Sequence, residues 1–357
     1  MQKRRFGFLL ALVLMAATIS QAQSFVMDLP RQSQHAVVMQ RIGLTDITIN
    51  YHRPLVGGRE VWGKLVPYGE VWRSGANENT TIMFSDAVSI EGKPLERGTY
   101  GLHMIPGKDE WTVIFSKAAN SWGSFSYKQD EDALRVTVKP QVAEFHEALT
   151  YDFDQPKEDS AVVTMRWEKV AVPFKVQINL SETVAANFQK QFRGLRQYTW
   201  ESWNDAADYL VTHKQNLDTA LGYTNKSIEI EERSESLMTK SQVLNALGRK
   251  DEAAKVRTLA LDKAGATQLY TYGRQLQGEG KQGEAFAIYR TSAKKFPDHW
   301  LSHAGMARVY SGQGDFGNAM KEANLALAGA PDDGSKQFVQ AQIKRLEAKE
   351  DINKPGN

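Results

Sequence analysis

Cysteine is absent from the chain. That excludes disulfide staples and lipid attachment through an N-terminal cysteine, so any domain here stands on burial alone. Also absent are a G-x-S-x-G elbow, a Walker loop, a C-x-x-C pair and a dinucleotide fingerprint, which removes the short motifs that would announce a reaction directly. Long apolar runs are scarce too. The one at Phe6–Ile19 holds 14 residues, short of the about 20 that a membrane span needs.

That run follows Lys3-Arg4-Arg5 and precedes Ser20-Gln21-Ala22, small residues at the places of an A-x-A-like cleavage site. The pattern predicts a secretory signal peptide at residues 1–22, with a membrane anchor as the competing reading. Export to the periplasm or beyond the cell follows, with no stable membrane span after cleavage. Loss of these residues removes three positive charges and no negative ones, moving the formal net charge from +2 to −1. Without a basic block there is no electrostatic footprint for phosphate backbones, and nucleic acid is not expected as a partner.

What remains has ordinary soluble composition, 41% hydrophobic and 24% charged, long enough for two or three domains. Two periods divide it. From Gln34 to about Leu180 the apolar spacing is two: Ile47, Ile49 and Tyr51 alternate with Thr48, Asn50 and His52. Similar runs at Thr80–Phe84, Tyr100–Ile105, Trp111–Phe115, Leu134–Val138, Leu149–Phe153, Val162–Trp167 and Phe174–Ile178 predict short strands, with turns such as Glu91-Gly92-Lys93-Pro94 between them. Many strands without intervening helices predict an all-β antiparallel sandwich, Greek-key-like, or a barrel. Leu95-Glu96-Arg97-Gly98-Thr99-Tyr100 resembles a tyrosine corner, which gives Tyr100 a structural role.

After Leu180 the period becomes helical, with Ser181 as the expected N-cap ahead of Val184, Phe188 and Phe192. The segment 314–331 repeats 280–297 at a spacing of 34, and fainter copies reach back through Ala253 to Ala220. A glycine between two helices, small alanines in the second and a closing proline resemble tetratricopeptide repeats. The expected organisation is a sheet domain at 23–180, a connecting helix at 181–199, helical hairpins at 200–331, and a capping helix with tail at 332–357. Such arrays hold protein partners on a concave face, or they brace a neighbouring domain.

His299 and His303 have the i, i+4 spacing that two imidazoles need on one metal, but no third ligand accompanies them. Asp298 reads as a helix N-cap, with His299 in the first turn and His303 as a packing residue. No metal and no cofactor is therefore expected. Trp111 and Trp167 sit within alternating strands, while Trp62, Trp72 and Trp122 lie in glycine-bearing connections and are the expected pocket walls.

The stretch 51–116 is similar to an uncharacterised bacterial family, domain of unknown function 2911. It is carried by Arg53-Pro54, Gly58-Arg59, "LVPYG", Trp72-Arg73, Gly75-Ala76-Asn77-Glu78, Gly98-Thr99-Tyr100, Ile105-Pro106 and Trp122-Gly123. The resemblance runs from about residue 36 to 178 and implies a fold neighbourhood, with no activity or cofactor attached. A small polar residue is implied at 52, where this chain has histidine.

The loop 56–79 concentrates the chemistry. Arg53, Arg59 and Arg73 lie near Glu60, Glu70 and Glu78, and can neutralise one another as a structural knot. Alternatively Arg53, Arg59, Trp72, Arg73, Asn77 and Glu78 bind a ligand, with Gly75 admitting close backbone approach. Binding or scaffolding leads over a hydrolase-like enzyme using Glu78 with Arg73 and Asn77, because no second catalytic group is apparent. A carbohydrate-binding module on Trp62, Trp72 and Trp122 is the third reading.

Overall fold

The computed structural model describes residues 29–354, so the expected signal peptide lies outside it. Two compact units divide between Val184 and Ala185. In the first, ten strands follow in order: β1 (Gln34–Ile42), β2 (Thr45–Arg53), β3 (Thr81–Phe84), β4 (Val88–Ile90), β5 (Lys93–Leu95), β6 (Gly98–Ile105), β7 (Trp111–Ser116), β8 (Asp132–Val138), β9 (Gln141–Asp154) and β10 (Ser160–Gln177). They form a six-stranded sheet, β1-β2-β3-β6-β7-β8, and a four-stranded sheet, β5-β4-β10-β9. Every strand pair is antiparallel.

The alternation sets the core. Ile47, Ile49 and Tyr51 of β2 turn inward and join Ile82, Val113 and Phe115, and they share one apolar cluster with Met165, Val172 and Phe174 of the second sheet. Each such side chain contributes about 1.5–3 kcal/mol through burial. Between β3 and β6 the chain leaves for the β4–β5 hairpin and returns beside β3. Tyr100 stands at that return, and its hydroxyl donates to Glu96 O at 2.8 Å.

One strand boundary differs from expectation. Val162–Trp167 and Phe174–Ile178 read as two strands, but β10 runs through both for 18 residues. Its register against β9 shifts on each side of Glu168, whose φ is +56°. A bulge at that residue bends the strand instead of ending it.

Helix α1 (Leu180–Gln191) spans the division, and the second unit then holds α2 (Trp200–Thr212), α3 (Leu217–Ile230), α4 (Ser234–Ala246), α5 (Lys250–Lys263), α6 (Ala266–Gly278), α7 (Gln282–Lys295), α8 (Trp300–Gly312), α9 (Phe316–Gly329) and α10 (Asp333–Glu347). Helices α2 to α9 make four hairpins, a tetratricopeptide-like array. Ala220, Ala253, Ala285 and Ala319 each occupy the same place in the second helix of a hairpin and are all buried. A methyl there lets the paired helices approach closely. Gly248, Gly280 and Gly314 take φ values of +79°, +76° and +77° between the helices of the last three hairpins, a conformation glycine adopts without steric cost. The first hairpin has Lys214 and Asn216 in that region instead, at +53° and +43°.

Two helix starts are displaced from their expected caps. Asn179 Oδ1 accepts the Glu182 amide at 3.3 Å, so Ser181 lies inside α1. At α8 the cap is His299, whose Nδ1 accepts the Leu301 amide at 3.1 Å, one residue beyond Asp298. His303 Nδ1 is bonded to Glu322 Oε2 at 2.7 Å. These contacts direct both rings to structural partners.

Candidate functional site

In the sheet unit, the connection between β2 and β3 carries the residues singled out by sequence. It is held down by backbone and aromatic contacts. Trp72 exchanges two hydrogen bonds with Met104, each 2.8 Å, and Val56 donates to Glu147 O at 2.7 Å. Trp62 and Trp72 pack with Trp111 and Trp167 at centroid separations of 4.9 to 5.8 Å. Trp62 and Trp72 thus turn toward the core and are not the expected pocket walls. Trp122 alone of that trio is exposed, at 56%.

The expected ion-pair knot is not what forms. Arg53 Nε donates to Leu149 O at 3.0 Å, Arg59 Nε to Val56 O at 3.0 Å and Arg73 Nη1 to Asn77 O at 3.1 Å. A loop outside the ladders leaves carbonyls that need donors, and the guanidiniums supply them. Glu60 and Glu70 stay exposed, where pairing gains little over water.

Glu78 finds its partners elsewhere. Arg31 Nη1 donates to its Oε1 at 2.6 Å, and His52 Nε2 stands 3.3 Å from Oε2, outside good hydrogen-bond geometry. The His35 and His52 rings are 5.2 Å apart, because β1 and β2 place these residues directly opposite each other. Arg31, His35, His52 and Glu78 line a cavity of about 440 Å³. Above them Arg31 lies over Trp122 at 5.8 Å and Arg73 over Phe125 at 5.7 Å. Asn77 Nδ2 donates to Ser33 O at 3.2 Å. Ser74 and Asn77 take left-handed φ, +54° and +58°, strain of the sort that collects at functional loops.

The electrostatics separate these groups. Burial pushes His52 below the ordinary imidazole value, against the pull of Glu78. Burial also opposes ionisation of Glu78, but the Arg31 hydrogen bond, its own backbone amide and His52 outweigh it, leaving the carboxyl below its usual range. Burial lowers Arg73, with Glu78 opposing. A neutral imidazole beside a fixed carboxylate can accept a proton; Glu78 is poorly suited to donate one at neutral pH.

The helical unit has a second concavity. At two junctions between hairpins, a buried serine pair joins neighbouring helices: Ser227 to Ser236 at 2.7 Å and Ser292 to Ser302 at 2.8 Å. Each pair joins the eleventh residue of one helix to the third of the next. At the middle junction, between α5 and α6, those places hold Ala260 and Gln268. Alanine offers no hydroxyl, and Gln268 Nε2 instead donates to Glu235 Oε1 at 3.0 Å. Polar bridges also cross the junction: Arg257 Nη2 donates to Glu284 Oε2 at 2.9 Å, and Lys295 Nζ donates to Asp262 O at 2.6 Å. One apolar cluster gathers around Leu210, Ala220 and Val243 before this seam, and another around Leu269, Tyr289 and Leu301 after it, which only Leu261 and Ala264 at the end of α5 join from the near side. Two adjoining cavities of about 320 and 570 Å³ open there, sharing Met238, Gln242, Leu261 and Tyr272.

Residues 33–176 match the family model for DUF2911, a protein of unknown function. No curated protein matches the chain. Among solved structures it is similar to the crystal structure of YrrB, described as a TPR protein with an unusual peptide-binding site. That likeness has a TM-score of 0.26 and 15% identity, covering 46% of this chain and 90% of that one.

Within the stretch that matches this family model, Arg73, Asn77 and Glu78 share one crest above the inward-turned Trp72, while Arg53 and Arg59 serve the underlying backbone. Sequence reading passed over Arg31 and His35. The two-residue turn led by Gly43 fixes the β1–β2 register, and that signal alone would have put His35 against His52. Among the described residues no group of three or more His, Asp or Glu is placed to hold a metal.

Proposed function

We propose that this chain is an exported scaffold protein whose helical hairpins hold a protein partner while the DUF2911 crest offers a polar site for a ligand or envelope component. The observation that carries the reading is the open middle seam. An array able to zip all its junctions zips the flanking ones with buried serines and leaves this one open, lined by side chains of four helices. Protein-binding solenoids use concave surfaces between stacked helices in this way. Site-specific photo-cross-linking in the producing cells tests it. A cross-linker at exposed Thr271 in the seam should give a discrete protein adduct that one at exposed Lys255 does not give. Identical patterns from both positions would count against a partner at the seam.

A second reading has its own support. The 3.3 Å approach of His52 to Glu78 supplies the neighbouring group that a hydrolase-like site requires. In that reading the contact tightens to a hydrogen bond through which Glu78 orients neutral His52, and the imidazole accepts a proton from water in the cavity. Turnover on an ester, amide and glycoside panel that disappears in both Glu78→Gln and His52→Asn supports it; activity surviving in either excludes that pairing.

A further inference from the structure

We infer that the 320 Å³ seam cavity receives a lysine or arginine side chain from an extended segment of the partner protein. The inference rests on the scaffold reading and names the chemistry of what is held. The cavity lining carries two carboxylates, Asp208 and Glu235, and no basic side chain. They come from different hairpins, α2 and α4, and converge on one space.

The two acids are held differently. Glu235 is fixed: Gln268 donates to its Oε1, and Ser234 Oγ donates to Oε2 at 2.8 Å. Arg233 Nε approaches Glu235 Oε2 at 3.8 Å, but its guanidinium lies over the Trp200 ring at 5.4 Å and outside the lining. Asp208 has no ion-pair partner among the described residues. Asp208 is exposed at the rim of the cavity, where neighbouring protein atoms and the charge of Asp205 push its carboxyl above the usual value, with His213 opposing. An arriving cation relieves that repulsion.

The remaining lining suits a long amphipathic side chain. Met238, Leu261 and Tyr272 offer an apolar wall for a methylene stem, and such stems lie on apolar surface while the charged head finds polar partners. Gln242 and Gln275 can accept or donate along the flanking backbone. Taking a cation out of water is costly unless it is paired, and the two carboxylates supply that pairing. A space of about 320 Å³ takes one long side chain, and the adjoining space of about 570 Å³ leaves room for the backbone on either side of it.

Fluorescence anisotropy with the full chain tests this. The probes are labelled, end-capped pentapeptides with four alanines around a central lysine, arginine, glutamine or glutamate. The lysine and arginine peptides should bind at least tenfold more tightly than the glutamine peptide, and the glutamate peptide should be weakest. Raising salt should weaken only the cationic pair. Asp208→Asn combined with Glu235→Gln should bring the lysine peptide down to the glutamine level, with circular dichroism and melting unchanged. Should that variant fold poorly, the salt series on the unaltered chain decides. Equal binding of all four peptides overturns the charge assignment and leaves the scaffold reading standing. No binding by any peptide, with no adduct at Thr271, overturns both. Lysine amide binding as tightly as the lysine peptide overturns the inference in favour of a small amine.

Discussion

Gln268 reaches across the middle seam to Glu235 at 3.0 Å, where the equivalent position in the flanking junctions is a serine bonded to its neighbouring helix. One side chain thus marks the change from a packed junction to an open one. Short hydroxyls bond only when two helices are close, and an amide on a longer stem spans the gap that remains.

Replacing Ala260 and Gln268 together by serine should let the middle junction close. The added hydrogen bond is worth about 1 kcal/mol, and amide exchange in α5 and α6 should slow by several-fold. Exchange rates unchanged in both helices would mean that something other than these two positions holds the seam apart.

The β2–β3 connection should depend on its tryptophans far more than on its charges. Trp72→Ala removes most of a large packed ring and should cost about 3–5 kcal/mol. Glu78→Gln breaks a partly exposed pair and should cost under about 1 kcal/mol. Chemical denaturation midpoints compare the two, and a reversed order would restore the ion-pair knot.

Acid should weaken the sheet unit chiefly through His103. This ring is buried beside Ser124 Oγ, 2.9 Å away, and burial pushes it from 6.5 down to about 4, with Asp132 opposing weakly. Folding therefore favours its neutral form. The contribution is complete above pH 6.5 and is lost as pH falls toward 4, about 3 kcal/mol in all. Glu78 and Asp154, both held below the usual carboxylate range, lose their contributions at still lower pH. Urea titrations at pH 7 and pH 4.5 should show a steep drop for the intact chain and a shallower one for His103→Gln. Parallel drops would remove His103 as the cause.

Arg308 should fix the end of the array. Its buried guanidinium donates to Tyr270 Oη at 3.1 Å and to Ile352 O at 3.0 Å, so Arg308→Met leaves two buried acceptors unmet. A loss of about 2–3 kcal/mol is expected, with faster exchange at residues 351–354 than at α4. A melting temperature equal to that of the intact chain would contradict it.

The fold was readable where local chemistry repeats. Ile47, Ile49 and Tyr51 announce a strand, and the 34-residue spacing of Ala285 and Ala319 announces a hairpin. Glu168 hid a bulge, because nothing in a charged residue signals a left-handed backbone. The crest was half readable. Trp72, Arg73 and Glu78 lie within seven residues of one another, but Arg31 meets Glu78 only through the folded β1 edge, and the carbonyls that take Arg53 and Arg59 are invisible in any list of side chains. The seam was latent in the repeat alignment, where Ala260 and Gln268 interrupt a series of serines.

The most direct measurement is a titration of the labelled lysine-centred pentapeptide against the intact chain and against the Ala260→Ser, Gln268→Ser variant. An open seam that takes a partner segment predicts saturable binding by the intact chain and at least tenfold weaker binding by the closed variant. Equal affinity in both, with slowed exchange showing that the seam has closed, would place the binding surface elsewhere and contradict the account.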